Sequence, residues 1–296
     1  MIVFENVRTI CFEPPSVSEP VDVAVTQASD SKDGKARIAE VGKGLASKYP
    51  GARRIQGAYL SPGLVCAHTH LYSALARGML VNIEPSKDFA DQLKHLWWRL
   101  DMAIDLPILE ASALVGCAEA ALCGVTSLVD HHAGPAAIDG SLSVIRKAYE
   151  QVGLRGILCY ETTERNGMLE EFRFACFRHR ESGGPWWPGD FLKCLDRGNR
   201  LIERYFSESS GLSAFGKIEA GAAADLVLWD YDPPTPLVGE NVAGHLAFGL
   251  SSRSVQSVMV DGDFIVEDRQ PCFDAEAIGR AARSEASRLW SRMNES

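Results

Sequence analysis

A change of rhythm at Pro62 constrains this fold more than any other feature of the sequence. From there to Tyr160, short apolar runs alternate with stretches at helical spacing. The first run is Leu64 to Ala67. Helical patterns follow over about 88–101 and 105–124, then a strand pattern at 125–129, a helix at 141–152 stopped by Gly153, and a third strand pattern at 154–160. The order reads β-α-β-α-β, which implies parallel strands with right-handed crossovers. The flanks read differently. Met1 to Phe12, the alternation of Val21, Val23 and Val25, and Ala36 to Val41 read as strands, with a polar turn at 29–35. Strand patterns return at 224–229, 254–260 and 264–266, with Asp261-Gly262 as a hairpin turn. Asp190 caps a helical pattern over 191–206, and 274–293 is amphipathic.

The first apolar run is opened by Pro62-Gly63 and ends in His68-Thr69-His70. Residues i and i+2 of a strand point to one side, so the two imidazoles converge as two ligands of a metal would. Imidazole suits zinc and other borderline divalent ions, and the carboxyl ends of parallel barrel strands are where active sites lie. The second strand pattern leads into Asp130-His131-His132. Neighbours on a strand face opposite sides, so at most one of these two histidines faces the His68–His70 side. His131 and His132 are therefore candidate substrate contacts, as are Arg77 and Trp98. Asp130 and Glu161 follow strands and are candidate bases or ligands. The Phe89, Leu93, Leu96, Trp97 and Leu100 stripe reads as core, and Cys66 as a small buried hydrophobe.

At 296 residues the chain is long enough for a full core. A net charge of −9 and the lack of any basic run argue against nucleic acid or an anionic membrane as partner. Met1 to Arg8 lacks the basic and apolar regions of a signal peptide. The eight cysteines are scattered without a CxxC, the pattern of free thiols in a reducing, cytoplasmic setting.

Two separated pieces carry a family resemblance. Pro62-Gly63-Leu64-Val65-Cys66-Ala67-His68-Thr69-His70-Leu71 resembles the first metal strand of the amidohydrolase superfamily. Gly216 to Val227 resembles its late signature, and Val258-Met259-Val260-Asp261-Gly262 its closing hairpin. Ala67 to Met79, Trp97 to Asp101 and Asp230 to Pro236 look like the chlorohydrolase and cytosine/guanine deaminase-like branch, in particular its aminohydrolases called SsnA. The resemblance covers about 1–168 and 172–270. It implies an α/β fold, a metal-bearing TIM barrel with a small β-sandwich built from both chain ends. It also implies a metal-binding hydrolase of carbon–nitrogen bonds outside peptides. In the family, a divalent metal, zinc or iron, activates water to attack a carbon bearing an amino, imino or chloro group. A glutamate moves the proton and an aspartate assists. His68 and His70 fall on the family's metal positions, and the implied substrate is a small nitrogen-rich molecule such as an amidine, guanidine or heterocycle.

The middle of that barrel has no counterpart here. No motif matches the family's further metal histidines, its glutamate or its last-strand aspartate. His179 lies between Arg178 and Arg180, and His245 lies in the late segment. About 150 residues separate the sandwich halves, where a barrel takes about 250. The sequence therefore implies an incomplete (β/α) barrel over 62–214, a composite β-sandwich from 1–61 and 215–271, and a C-terminal helix over 272–296. Two functions follow as alternatives: an aminohydrolase of deaminase-like type, or an internally shortened, inactive relative that is a binding or assembly module or a deletion product. An open sheet edge after the third strand points to a homo-oligomer.

Overall fold

The computed structural model describes residues 1–31, 33–160, 179, 184–210 and 214–295. Glu161 and Cys176 lie outside the described residues. Contacts divide the chain into two compact units, Met1–Ala67 with Ala121–Ser127 and Met168–Cys272, and His68–Ala120 with Leu128–Gly167 and Phe273–Ser296. The fold is mixed α/β.

The first unit is organised by β1 (Ile2–Phe12). It pairs antiparallel with β2 (Pro15–Val17) and β3 (Val21–Thr26), and parallel with β5 (Arg53–Gln56) and β6 (Tyr59–Pro62). Beyond β3 lies β4 (Arg37–Gly42), and the short α1 (Leu45–Lys48) follows it in sequence. The late strands β10 (Leu226–Trp229), β11 (Val255–Val260), β12 (Asp263–Glu267) and β13 (Gln270–Pro271) extend the same ten-stranded sheet from β6 outward. Early and late segments thus share one core, in which Ile2, Phe4, Val23, Val25 and Leu60 pack with Leu226, Leu228 and Met259. Burying each of these side chains contributes about 1.5–3 kcal/mol before ordering costs. The Asp261-Gly262 turn has φ of 52° and 79°, the two positive values that a two-residue hairpin with the right strand twist requires. Strand β5 carries no clean alternation, and its burial is largely exposed, which is why the sequence pattern did not mark it.

The site is positioned by β7 (Leu64–Thr69), β8 (Val125–His132) and β9 (Arg155–Tyr160), hydrogen-bonded in that order. The Leu64 N–H donates to Gly124 O at the start of the first two strands, and His70 Nδ1 meets His131 O at their ends. These two strands therefore run in the same direction. A Cβ at Gly63 would fall 2.1 Å from Thr126 Oγ1, so the Pro-Gly opening is what lets β7 lie this close to β8. Both strands begin in the first unit and end in the second.

In the second unit the stretch expected as one helix over 88–101 is broken. It forms α2 (Phe89–Gln92), a π-helical turn at Leu93–Trp97, and α3 (Trp98–Ala103). The apolar stripe continues through the turn, because one inserted residue does not erase a spacing of three and four. Helix α4 (Leu106–Leu122) starts at Asp105, whose Oδ1 accepts the Ile108 N–H at 3.2 Å. Helix α5 (Ser141–Val152) ends at Gly153, φ 90°, whose N–H donates to Tyr149 O. Helix α6 (Pro188–Ser210) and the short α7 (Val242–Phe248) belong to the first unit. The C-terminal α8 (Ala275–Glu295) buries Leu289 and Met293, and its Arg288 and Arg292 both reach the Asp105 carboxylate. Among the described residues no helix is long and apolar enough to cross a membrane.

Candidate functional site

His68 and His70 lie at and just beyond the end of β7, and their side chains converge as their spacing predicts. His68 Nε2 and His70 Nε2 are 3.3 Å apart, with ring centroids at 5.1 Å. Two nitrogens bound to one tetrahedral zinc at about 2.0–2.1 Å lie roughly 3.3–3.4 Å apart. The observed pair has that edge length. His70 Nδ1 lies 2.8 Å from His131 O. A carbonyl only accepts, so this nitrogen carries the proton and Nε2 carries the lone pair. That is the arrangement by which a backbone acceptor sets the tautomer of a metal-binding histidine.

The residue after His70 is pinned from two sides. The Leu71 N–H donates to buried Asp130 Oδ1 at 2.7 Å, and Ser112 Oγ donates to Leu71 O at 2.7 Å. Asp130, read from sequence as a base or ligand, thus serves at this oxygen to hold the turn that carries His70. Burial first, and the neighbouring His131 second, hold His68 below the ordinary imidazole range, which keeps the ring neutral. A neutral ring is the form that binds metal.

His131 and His132 face opposite sides, as strand geometry requires. The His131 ring stacks on His68 with centroids at 4.3 Å, and lies 6.3 Å from His70. Its Nδ1 is 3.5 Å from Cys159 Sγ on β9, and that thiol donates to Asp130 O at 3.3 Å. His132 turns inward between the edges of Tyr72 and Tyr160. It is fully buried, its Nδ1 and Nε2 have no hydrogen-bond partner among the described residues, and burial pushes it down to about 4. Arg77 forms a bidentate pair with Glu119 at 2.5 and 2.6 Å on the surface, and Trp98 on α3 is 54% exposed. Cys66 is buried, as expected. Among the described residues no group of three or more histidines, cysteines or carboxylates stands in metal-holding geometry.

Sequence reasoning did not single out Cys159 or Tyr72. Cys159 carried a usable signal, since it sits one residue before the end of β9, where a side chain can meet the end of β8. Tyr72 carried none, because it depends on the turn after His70. His245, on α7, has Nδ1 2.8 Å from Tyr231 Oη and Nε2 3.3 Å from Thr235 Oγ1. His179 Nε2 accepts the Trp186 N–H at 2.9 Å.

Residues 59–194 match the sequence profile of the amidohydrolase family. A 5-methylthioadenosine/S-adenosylhomocysteine deaminase of Natronomonas pharaonis is 39% identical over 87 residues, 29% of this chain and 20% of that protein. The corresponding deaminase of Pelotomaculum thermopropionicum is 32% identical over 126 residues, 42% of this chain and 28% of its own length. The matched stretch thus spans well under a third of either relative. Among solved structures, atrazine chlorohydrolase TrzN from Arthrobacter aurescens TC1, complexed with zinc, aligns with a TM-score of 0.63 at 16% identity, over 97% of this chain and 100% of that one. An adenosine deaminase from Xanthomonas campestris with bound zinc aligns with a TM-score of 0.58 at 16% identity, over 98% of each chain. At such identities the structures speak for the fold alone, a mixed α/β fold similar to theirs. The resemblance first read from Pro62 to Leu71 is borne out by this match to the amidohydrolase family over residues 59–194.

Proposed function

We propose that this chain is a metal-dependent hydrolase of non-peptide carbon–nitrogen bonds, of aminohydrolase type, with His68 and His70 as metal ligands. The observation that carries it is the 3.3 Å approach of the two Nε2 atoms, with His70 Nδ1 committed to His131 O. A divalent ion, zinc or iron, would be held by the two Nε2 atoms and would supply water activated near neutral pH. The chain's own groups do the positioning. His131 O fixes the His70 tautomer, Asp130 and Ser112 hold the turn behind it, and His131 stands over His68 where a planar ring could stack. The substrate class is a small nitrogen-rich heterocycle, amidine or guanidine. Support comes from the named activities of the relatives, which are deaminases of adenosine derivatives and a triazine chlorohydrolase. The incomplete barrel, the composite sandwich from both chain ends, a cytoplasmic location and a homo-oligomer belong to the same proposal.

The test is ammonia release by the zinc-loaded chain from 5-methylthioadenosine, adenine, cytosine and amino-triazines, with His68→Ala as control. Turnover lost in the control supports the reading. Absence of ammonia and of chloride from a chlorinated triazine, in a chain that binds zinc, sinks it. A second reading, an inactive binding or assembly module, is favoured by the lack of a three-donor group among the described residues. It expects no tight zinc and no effect of a chelator on unfolding.

A further inference from the structure

We infer that the first unit carries a small-molecule site of its own, a cavity beside His245 that takes a neutral planar ring bearing a carbonyl or amide group. The segment after β10 and helix α7 border a cavity of about 290 Å³, whose lining includes Tyr231, Thr235, Asn241, Gly244, His245 and Phe248. All of these belong to the first unit and lie outside the matched residues 59–194. The volume is at the lower end of ligand pockets, room for one small ring. Among the described residues no charged side chain lines it, so an ion would lose its hydration there without a counter-charge. Two glycines shape the space. A Cβ at Gly249 would fall 2.1 Å from Tyr231 Oη, so this glycine lets the phenol reach His245. A Cβ at Gly244 would meet nothing within 4 Å. Helix interiors disfavour glycine, and no close packing calls for one at 244. Its missing side chain leaves the cavity open.

The hydrogen-bond count sets the ligand class. Tyr231 Oη lies 2.8 Å from His245 Nδ1, and Thr235 Oγ1 lies 3.3 Å from Nε2. A neutral imidazole has one donor nitrogen and one acceptor. One hydroxyl therefore gives its hydrogen to the ring, and the other receives one from it. The receiving hydroxyl keeps its own hydrogen, and both hydroxyls line the cavity. Burial first, and Tyr59 second, push the Tyr231 phenol up, which keeps it a neutral hydroxyl. Asn241 Nδ2 donates one hydrogen to Pro236 O and retains a second. The cavity thus offers hydrogens from neutral groups, and a carbonyl oxygen with two lone pairs is the acceptor suited to them. The aromatic rings of Tyr231 and Phe248 suit a flat, apolar body.

The experiment titrates the full metal-free chain with benzamide, benzoate and toluene, read by saturation-transfer NMR. Benzamide should bind saturably. Benzoate, which is charged, and toluene, which has no acceptor, should bind at least about tenfold more weakly. Gly244→Leu should weaken benzamide at least about tenfold by filling the cavity. Gly244→Ala should weaken it less while raising the urea midpoint, because alanine favours the helix, and it carries the test if the leucine variant does not fold. His68→Ala should leave benzamide binding unchanged, whatever becomes of the hydrolytic reading. The inference falls if the unaltered chain binds none of the three saturably, or binds benzoate or toluene as well as benzamide. It falls equally if the Gly244 variants bind benzamide as the unaltered chain does, and loss of binding in His68→Ala alone would place the ring at the histidine pair instead.

Discussion

His245 in the first unit and the His68–His70 pair in the second are both buried or half-buried histidines, yet their ring nitrogens meet different atoms. His245 faces two hydroxyls, Tyr231 Oη at 2.8 Å and Thr235 Oγ1 at 3.3 Å. A hydroxyl donates or accepts by rotating, so either tautomer is satisfied without help. His68 and His70 face each other, nitrogen to nitrogen at 3.3 Å. Such a meeting needs a proton or a cation between the two lone pairs. Burial does not separate the two cases. The atom opposite each nitrogen does: hydroxyls at His245, and a second imidazole nitrogen for His68 and His70.

The sharpest way to break this contrast is to remove each histidine and measure zinc. His68→Ala or His70→Ala should weaken zinc at least about a hundredfold by chelator competition. His245→Ala should leave the affinity unchanged. Equal loss in all three variants would mean that the difference in partners carries no functional information.

The converse experiment measures unfolding in urea without metal. His245→Ala should cost about 2 kcal/mol, because it strands two hydroxyls and leaves a small cavity. His68→Ala should cost less than half of that, since the His68 ring is only partly buried. A larger cost at His68 than at His245 would reverse the assignment.

Asp105 extends the comparison to a carboxylate with every oxygen engaged. It caps α4 and takes Arg288 at 2.5 and 2.6 Å and Arg292 at 2.5 Å. The Arg288 guanidinium, above all, holds this carboxyl below the usual range, against the opposing effect of burial. A depressed folded-state value means stability that is present above the unfolded value of about 3.9 and lost as pH falls below it, through the lower folded-state value. Asp105→Asn should therefore lower stability by about 1 kcal/mol at pH 7, a sum of cap and partly exposed ion pairs. The gap between variant and unaltered chain should start to narrow once the pH falls below about 4, and go on narrowing as it falls further. A gap that stays constant with pH would assign the loss to the cap alone.

Strand order and motif placement were legible because they follow from local pattern. The Pro62-Gly63 opening, the apolar run and the i, i+2 histidines each report on a few neighbouring residues, and the structure joins them as read. The Asp261-Gly262 turn was legible for the same reason. Three things were not. The π-helical turn at Leu93–Trp97 preserves the stripe that announced a helix. The hold of Asp130 on the Leu71 N–H joins residues 59 apart in sequence. The Cys159–His131 contact joins two strands through a crossover helix. In each case the deciding contact is tertiary, and a single sequence records no pairing between distant positions.

The smallest effect is expected at His132, the extreme of the comparison. This ring is fully buried between Tyr72 and Tyr160, and neither nitrogen has a hydrogen-bond partner among the described residues. A buried polar group without a partner costs about 1–3 kcal/mol of desolvation on mutational scales. Replacing it with an apolar ring of similar shape removes that cost and keeps the edge contacts with both tyrosines. His132→Phe should therefore stabilise the metal-free chain by up to about 1 kcal/mol, part of the gain being lost to the larger ring. The urea midpoint measures it. A loss of more than about 2 kcal/mol would mean that the imidazole nitrogens are engaged, and would place His132 with His245 among the histidines that hold the fold.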